Sequence, residues 1–153
     1  PAESKTIVNV EDFMPQFAVR SGDLLITRAN TPELVGMSCL VEQDFPNLML
    51  SDKTLRLVPE EGTSADLLLE ALWTATVRQQ LKAVASGTGA AMKNISQEKI
   101  RALQVPWPNE EHAAEVIALR IQSAKQNVRS LKKRLHDARR FHSGMATSLI
   151  ERA

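Results

Sequence analysis

The chain has 153 residues, 43% of them apolar and 24% charged, a length that fits one domain or a small domain with an extension and a composition that argues against disorder. No apolar run approaches the roughly 18–20 residues of a membrane span, and Pro1-Ala2-Glu3-Ser4-Lys5 lacks the basic-then-apolar pattern of a signal peptide. Net charge is +1 but uneven: residues 1–105 carry ten Lys/Arg against thirteen Asp/Glu, and residues 106–153 carry nine against five.

In chain order, Thr6 to Asp12 offers little to pack against, so the chain is expected to begin partway through a domain. Ala18-Val19 and Leu24-Leu25-Ile26 flank the turn signal Ser21-Gly22-Asp23, and read as short strands. Arg28 to Glu33 reads as a polar loop containing Pro32. Val35 to Val41 reads as a strand beginning near Gly36; Cys39 within it, among Met37, Leu40 and Val41, reads as a buried, inert thiol. A lone cysteine forms no internal disulfide and fits a reducing, cytoplasmic setting. Pro46-Asn47 reads as a turn, and Leu48-Met49-Leu50 and Thr54 to Val58 as strands separated at Ser51-Asp52-Lys53.

Ser64 is a suitable N-cap, with Asp66 in the first turn. Leu67, Leu68, Ala71, Leu72, Ala75, Val77, Leu81 and Val84 then keep helical spacing until Ser86-Gly87-Thr88-Gly89. Ser96 caps a short helix through Arg101, and Leu103 to Val105 reads as a last strand before Pro106-Trp107-Pro108. Asn109 reads as the cap of a long final helix whose positive end suits Glu110 and Glu111; Ser143-Gly144 is a candidate break in it.

That helix carries an apolar ladder stepping four and three: Ala114, Ile117, Ile121, Ala124, Val128, Leu131, Leu135 and Ala138, then His142, Met145 and Leu149. Ile121, Val128 and Leu135 fall at heptad position a, and Ile117, Ala124 and Leu131 at d. Such a seam needs a partner helix. Eight basic residues stand between Arg120 and Arg140 against Asp137, a pattern that suits phosphates, an acidic partner or a solvated face. The fold class is therefore α+β: a small domain of short strands with two helices over residues 1–106, then a coiled-coil helix over 107–153.

Enzyme chemistry has no constellation here. His112, His136 and His142 all lie on the last helix at spacings that share no metal, and no Cys/His cluster has zinc spacing. Ser86-Gly87-Thr88-Gly89 lacks the Gly-Lys-Ser/Thr ending of a phosphate loop and follows a helix rather than a strand. With no tyrosine and six aromatics, a base-stacking platform is not expected. Two loops hold base-reading side chains: Arg28, Asn30 and Thr31 in one, Thr88, Lys93 and Asn94 in the other. Arg pairs with guanine, Asn with adenine and Thr with an edge or a phosphate, while Lys53 and Arg20 suit backbone contacts.

The order of segments resembles the target recognition domain of type I restriction-modification specificity subunits. The residues that carry the resemblance are Ser21 to Asn30 followed by Leu34-Val35-Gly36, then Leu50 to Leu57, Ser86 to Ser96, and Leu103-Gln104-Val105-Pro106-Trp107-Pro108 running into Glu110-Glu111. They span about residues 17–140. The resemblance implies a non-catalytic subunit that reads one half of a split duplex target. It also implies a spacer helix packed antiparallel on a partner helix, from a second recognition domain or a second copy, with Ile117, Ile121, Val128, Leu131 and Leu135 at the interface. Methyltransferase subunits carrying S-adenosylmethionine, and a restriction subunit, are the implied partners; the chain itself binds no cofactor. Arg28, Asn30, Thr31, Lys53, Thr88, Lys93 and Asn94 are the implied DNA contacts. The sequence departs from the pattern in having one domain and one helix rather than two of each, and in lacking a Trp-containing opening. It is accordingly similar to a C-terminal piece of a subunit, or to a half subunit that pairs with itself. Trp107 stands for an aliphatic and His112 near a glutamine. The alternative from charge alone is a protein–protein scaffolding module with no DNA role.

Overall fold

The computed structural model describes residues 5–87 and 92–150, with the chain dividing into two compact units, Pro1–Pro108 and Asn109–Ala153. The first unit has the strands β1 (Ala18–Val19), β2 (Leu24–Thr27), β3 (Ala29–Asn30), β4 (Ser38–Leu40), β5 (Phe45–Met49) and β6 (Thr54–Leu57). Helices α1 (Ala65–Trp73) and α2 (Ala75–Val84) follow, then β7 (Lys93–Asn94) and α3 (Gln97–Arg101). The second unit is α4 (Glu111–Ile150). This is the expected α+β class.

Strand β2 is the centre. It pairs antiparallel with β4 on one side and β6 on the other, in the order β4-β2-β6. Side chains alternate across a strand, so Leu24 and Ile26 enter one layer and Leu25 the opposite one. The first layer is the main core: Leu24 and Ile26 with Val35, Leu72, Val77, Leu81, Ile95 and Ile100. The second is smaller, with Leu25, Val19 and Val41 covered by Phe45, Leu48 and Leu50. Because both faces of β2 are covered, its sequence is continuously apolar rather than alternating.

Arg56 fastens the turn between β1 and β2. Its Nη2 donates to Ala18 O at 2.6 Å and to Asp23 Oδ2 at 2.9 Å, its Nη1 to Gln16 O at 3.1 Å, and its Nε lies 2.8 Å from Asp23 Oδ1 as an ion-pair contact rather than an aligned hydrogen bond. Asp23 also caps the turn by accepting from Arg20 N.

Several elements differ from the sequence expectation, each for a local reason. The strand expected from Val35 begins only at Ser38, because Gly36 takes a left-handed turn with φ +72. Pro46-Asn47 lies inside β5 instead of forming a turn. The pairing Ala18↔Met49 and Val19↔Phe45 shifts register between its two rungs, and a two-stranded pair with a bulge tolerates a proline that a central strand would not. The helix expected from Ser64 to Val84 is two helices. Thr74 is extended, with ψ 148, and its hydroxyl donates to Ala71 O at 2.7 Å, closing α1, while its carbonyl accepts from Arg78 N to start α2.

Leu103 to Val105 forms no strand. Both apolar side chains pack on the main core, but the backbone between them is bonded by a side chain: Gln104 N donates to Gln80 Oε1 and Gln80 Nε2 donates to Gln104 O, each at 2.9 Å. One amide side chain of α2 thus takes the role of a neighbouring strand. Cys39 is exposed on β4 while its neighbour Ser38 is buried, correcting the expectation of a buried thiol. Partial desolvation pushes the Cys39 thiol above its ordinary range, so it stays protonated at neutral pH. The Ser64 and Ser96 caps form as expected, accepting from Leu67 N at 3.3 Å and Lys99 N at 3.2 Å.

In the second unit the first helical bond runs from Ala114 N to Glu110 O at 3.1 Å, so α4 starts one residue later than a cap at Asn109 would place it. At 1.5 Å per residue, its 40 residues extend about 60 Å. The helix runs through Ser143-Gly144 without interruption. Among the described residues, no helix is long and apolar enough to cross a membrane, and no cluster of His, Cys, Asp and Glu could hold a metal ion.

Candidate nucleic-acid interface

Two loops distant in sequence meet in a short antiparallel ladder. β3 pairs with β7 in the register Ala29↔Asn94 and Asn30↔Lys93. The ladder continues on its other side, where Ser86 and Asn94 exchange backbone bonds of 2.9 and 2.8 Å. Its base is fixed to the core: Ile95, fully buried, donates from its N to Arg28 O at 2.8 Å. The third segment joins through Lys53 O, which accepts from Arg28 N at 2.8 Å and from Ala29 N at 3.4 Å. Arg28, Asn30, Lys53, Lys93 and Asn94 are therefore brought to one place by backbone pairing, and Thr31 follows directly.

The side chains there are half-buried or exposed, as a contact surface requires. Asn30 Oδ1 accepts from Thr31 N at 2.8 Å, and Thr31 O accepts from Leu34 N and Val35 N, which shapes the turn into Gly36. Lys93 Nζ donates to Gly87 O at 3.0 Å. The Arg28 guanidinium reaches Asp52 O through Nη1 at 3.5 Å, a weak bond, and its Nε is buried without a hydrogen-bond partner among the described residues. Thr88 lies outside the described residues.

Beside the ladder is an open hollow of about 300 Å³, lined by Pro32, Glu33, Val35, Lys82, Ala85 and Lys93. Gly87 stands at the start of the second loop, where a Cβ would lie 2.5 Å from Met92 O, so the return of the chain into β7 leaves no room for a side chain. Lys82 was not singled out from sequence: it sits in the last turn of α2, close before the second loop, but only the fold sets that turn beside Lys93 of β7.

The type I restriction enzyme EcoEI specificity subunit of Escherichia coli is 34% identical to this chain over 152 residues, which is 99% of the chain and 25% of that protein. The chain is homologous to a type I restriction specificity subunit. It spans about a quarter of that relative's length. No protein-family model matches it. Because the alignment to the specificity subunit runs nearly end to end, it takes in the strand domain, the β3–β7 ladder and the long helix together. The homologous helix has the exposed seam of a coiled coil: Ile117 is 39% exposed, Val128 48%, Leu131 59% and Leu135 52%, with Ile121 half-buried.

Proposed function

We propose that this chain is the DNA-recognition part of a type I restriction-modification specificity subunit, reading one half of a split duplex target. The observation that carries the reading is the gathering of Arg28, Asn30, Thr31, Lys53, Lys93 and Asn94 around one ladder, in a chain 99% of which aligns with about a quarter of such a subunit. Arg28, Asn30 and Asn94 carry the donor–acceptor sets that read guanine and adenine edges, and Lys53 and Lys93 suit phosphates or a guanine edge. Thr88 extends the second loop of this face.

In this reading α4 is the spacer. Ile117, Ile121, Val128, Leu131 and Leu135 pack on a partner helix from a second recognition domain or a second copy. The helices hold methyltransferase subunits, which bring S-adenosylmethionine, and a restriction subunit joins for cleavage. The chain supplies recognition and no catalysis.

The test is duplex binding by Arg28→Ala and Lys93→Ala chains against a cognate site. Loss of a bidentate base contact costs about 1–3 kcal/mol at the base concerned and relaxes preference there. Unchanged affinity and unchanged preference in both variants would remove these two assignments.

One observation favours a second reading, a protein–protein scaffolding module: residues 1–105 carry net −3. Salt separates the two. Phosphate contacts release counterions and give a steep linear fall of log K with log salt, whereas a scaffold shows no such duplex binding.

A further inference from the structure

The hollow beside the ladder draws two ammonium groups from different elements. Lys93 comes from β7, and Lys82 from the last turn of α2. Between them the floor is apolar, with Val35 and Ala85, and Glu33 is the one carboxylate among the lining residues. The hollow therefore holds two positive charges against one negative, inside a domain whose overall charge is negative.

The neighbouring lysines are already occupied. Lys93 Nζ donates to Gly87 O at 3.0 Å and Lys99 Nζ to Val84 O at 2.9 Å. Lys82 is exposed and, among the described residues, makes no hydrogen bond or ion pair. A basic residue in the last turn of a helix ordinarily serves the helix's own negative end. Here Lys99 takes the final carbonyl of α2, which leaves Lys82 to solvent.

We propose that Lys82 is a phosphate contact of the DNA-recognition face, so that the C-terminal turn of α2 lies against the duplex backbone beside the base-reading loops. The inference rests on the DNA-recognition reading above. An ammonium on a flexible stem is a point charge suited to phosphate. It would set the position of the duplex without reading sequence, and would brace the β3–β7 ladder against the strand it reads.

The experiment is equilibrium binding of the full chain to a random-sequence duplex across a salt series, for wild type, Lys82→Gln and Lys82→Arg. Lys82→Gln should bind several-fold more weakly at low salt, with the slope of log K against log salt shallower by about 0.9. Lys82→Arg should keep the wild-type slope, which a merely structural role for the side chain would not predict. If wild type binds and Lys82→Gln shows the same affinity and slope, the Lys82 contact is overturned while the wider reading stands. If wild type shows no salt-dependent duplex binding, both fall together.

Discussion

Gly36 ties the loop that follows β3 to the core. Its N donates to Thr27 O at 2.8 Å, its carbonyl accepts from Arg78 Nη1 at 2.6 Å, and its φ of +72 lies where a side chain is strained. A Cβ there would also meet three atoms of the fully buried Leu81 at 3.1–3.2 Å. Gly36→Ala should therefore destabilise the domain by about 1–3 kcal/mol, combining left-handed strain with overpacking, measured as a lower urea midpoint at unchanged slope. A midpoint equal to wild type would show that the loop relaxes freely and is not held by the core. The polar residues of this face were legible in the sequence as loop chemistry: Arg28, Asn30, Lys93 and Asn94 stood in two runs of base-reading side chains. Their meeting was not, because the pairing Asn30↔Lys93 joins residues 63 positions apart and no local signal encodes it. Lys82 drew no attention in the sequence because a lysine in the last turn of a helix reads as serving that helix's own negative end, and Cys39 was misjudged because it pairs with Leu25 on the face of the smaller apolar layer, on the edge strand β4, where it stays exposed.

At the scale of elements, caps and periodicity read true where one local force acts. Ser64 and Ser96 cap as their hydroxyls dictate, and the heptad seam of α4 is what its exposed Val128, Leu131 and Leu135 display. Sequence reading failed where side chains substitute for backbone. Thr74 breaks a helix whose apolar spacing continues through it, because a hydroxyl bond to Ala71 O competes with the helical ladder. Gln80 stands in for a strand beside Leu103–Val105. The seam carries its own prediction. Exposed apolar residues at a and d associate when covered, and a buried carboxylate without a partner is strongly unfavourable. Leu131→Asp with Leu135→Asp should abolish self-association, or assembly with methyltransferase subunits, in sedimentation and co-purification. Unchanged profiles in both would show that the seam makes no intermolecular contact.

For the whole molecule, charge and fold divide the work. The strand domain is net negative over residues 1–105, yet gathers Arg28, Lys53, Lys82 and Lys93 around one ladder; residues 106–153 are net positive along the helix. A net negative domain that binds DNA must do so through such a local concentration, so affinity should be modest and strongly salt-dependent. The fold class and the seam were readable from the sequence, as was the likeness to specificity subunits carried by the ordered segments, since each rests on periodicity or on residues close in sequence. The measurement that bears most directly on the central claim is selection of bound sequences from a randomised duplex pool by the full chain, at low salt, followed by sequencing. Recognition of half of a split target predicts enrichment of one short contiguous motif, weakened at a defined position by Arg28→Ala or Lys93→Ala. A pool that returns no enriched motif, from a chain that binds duplex no more tightly at low salt than at high, would contradict it.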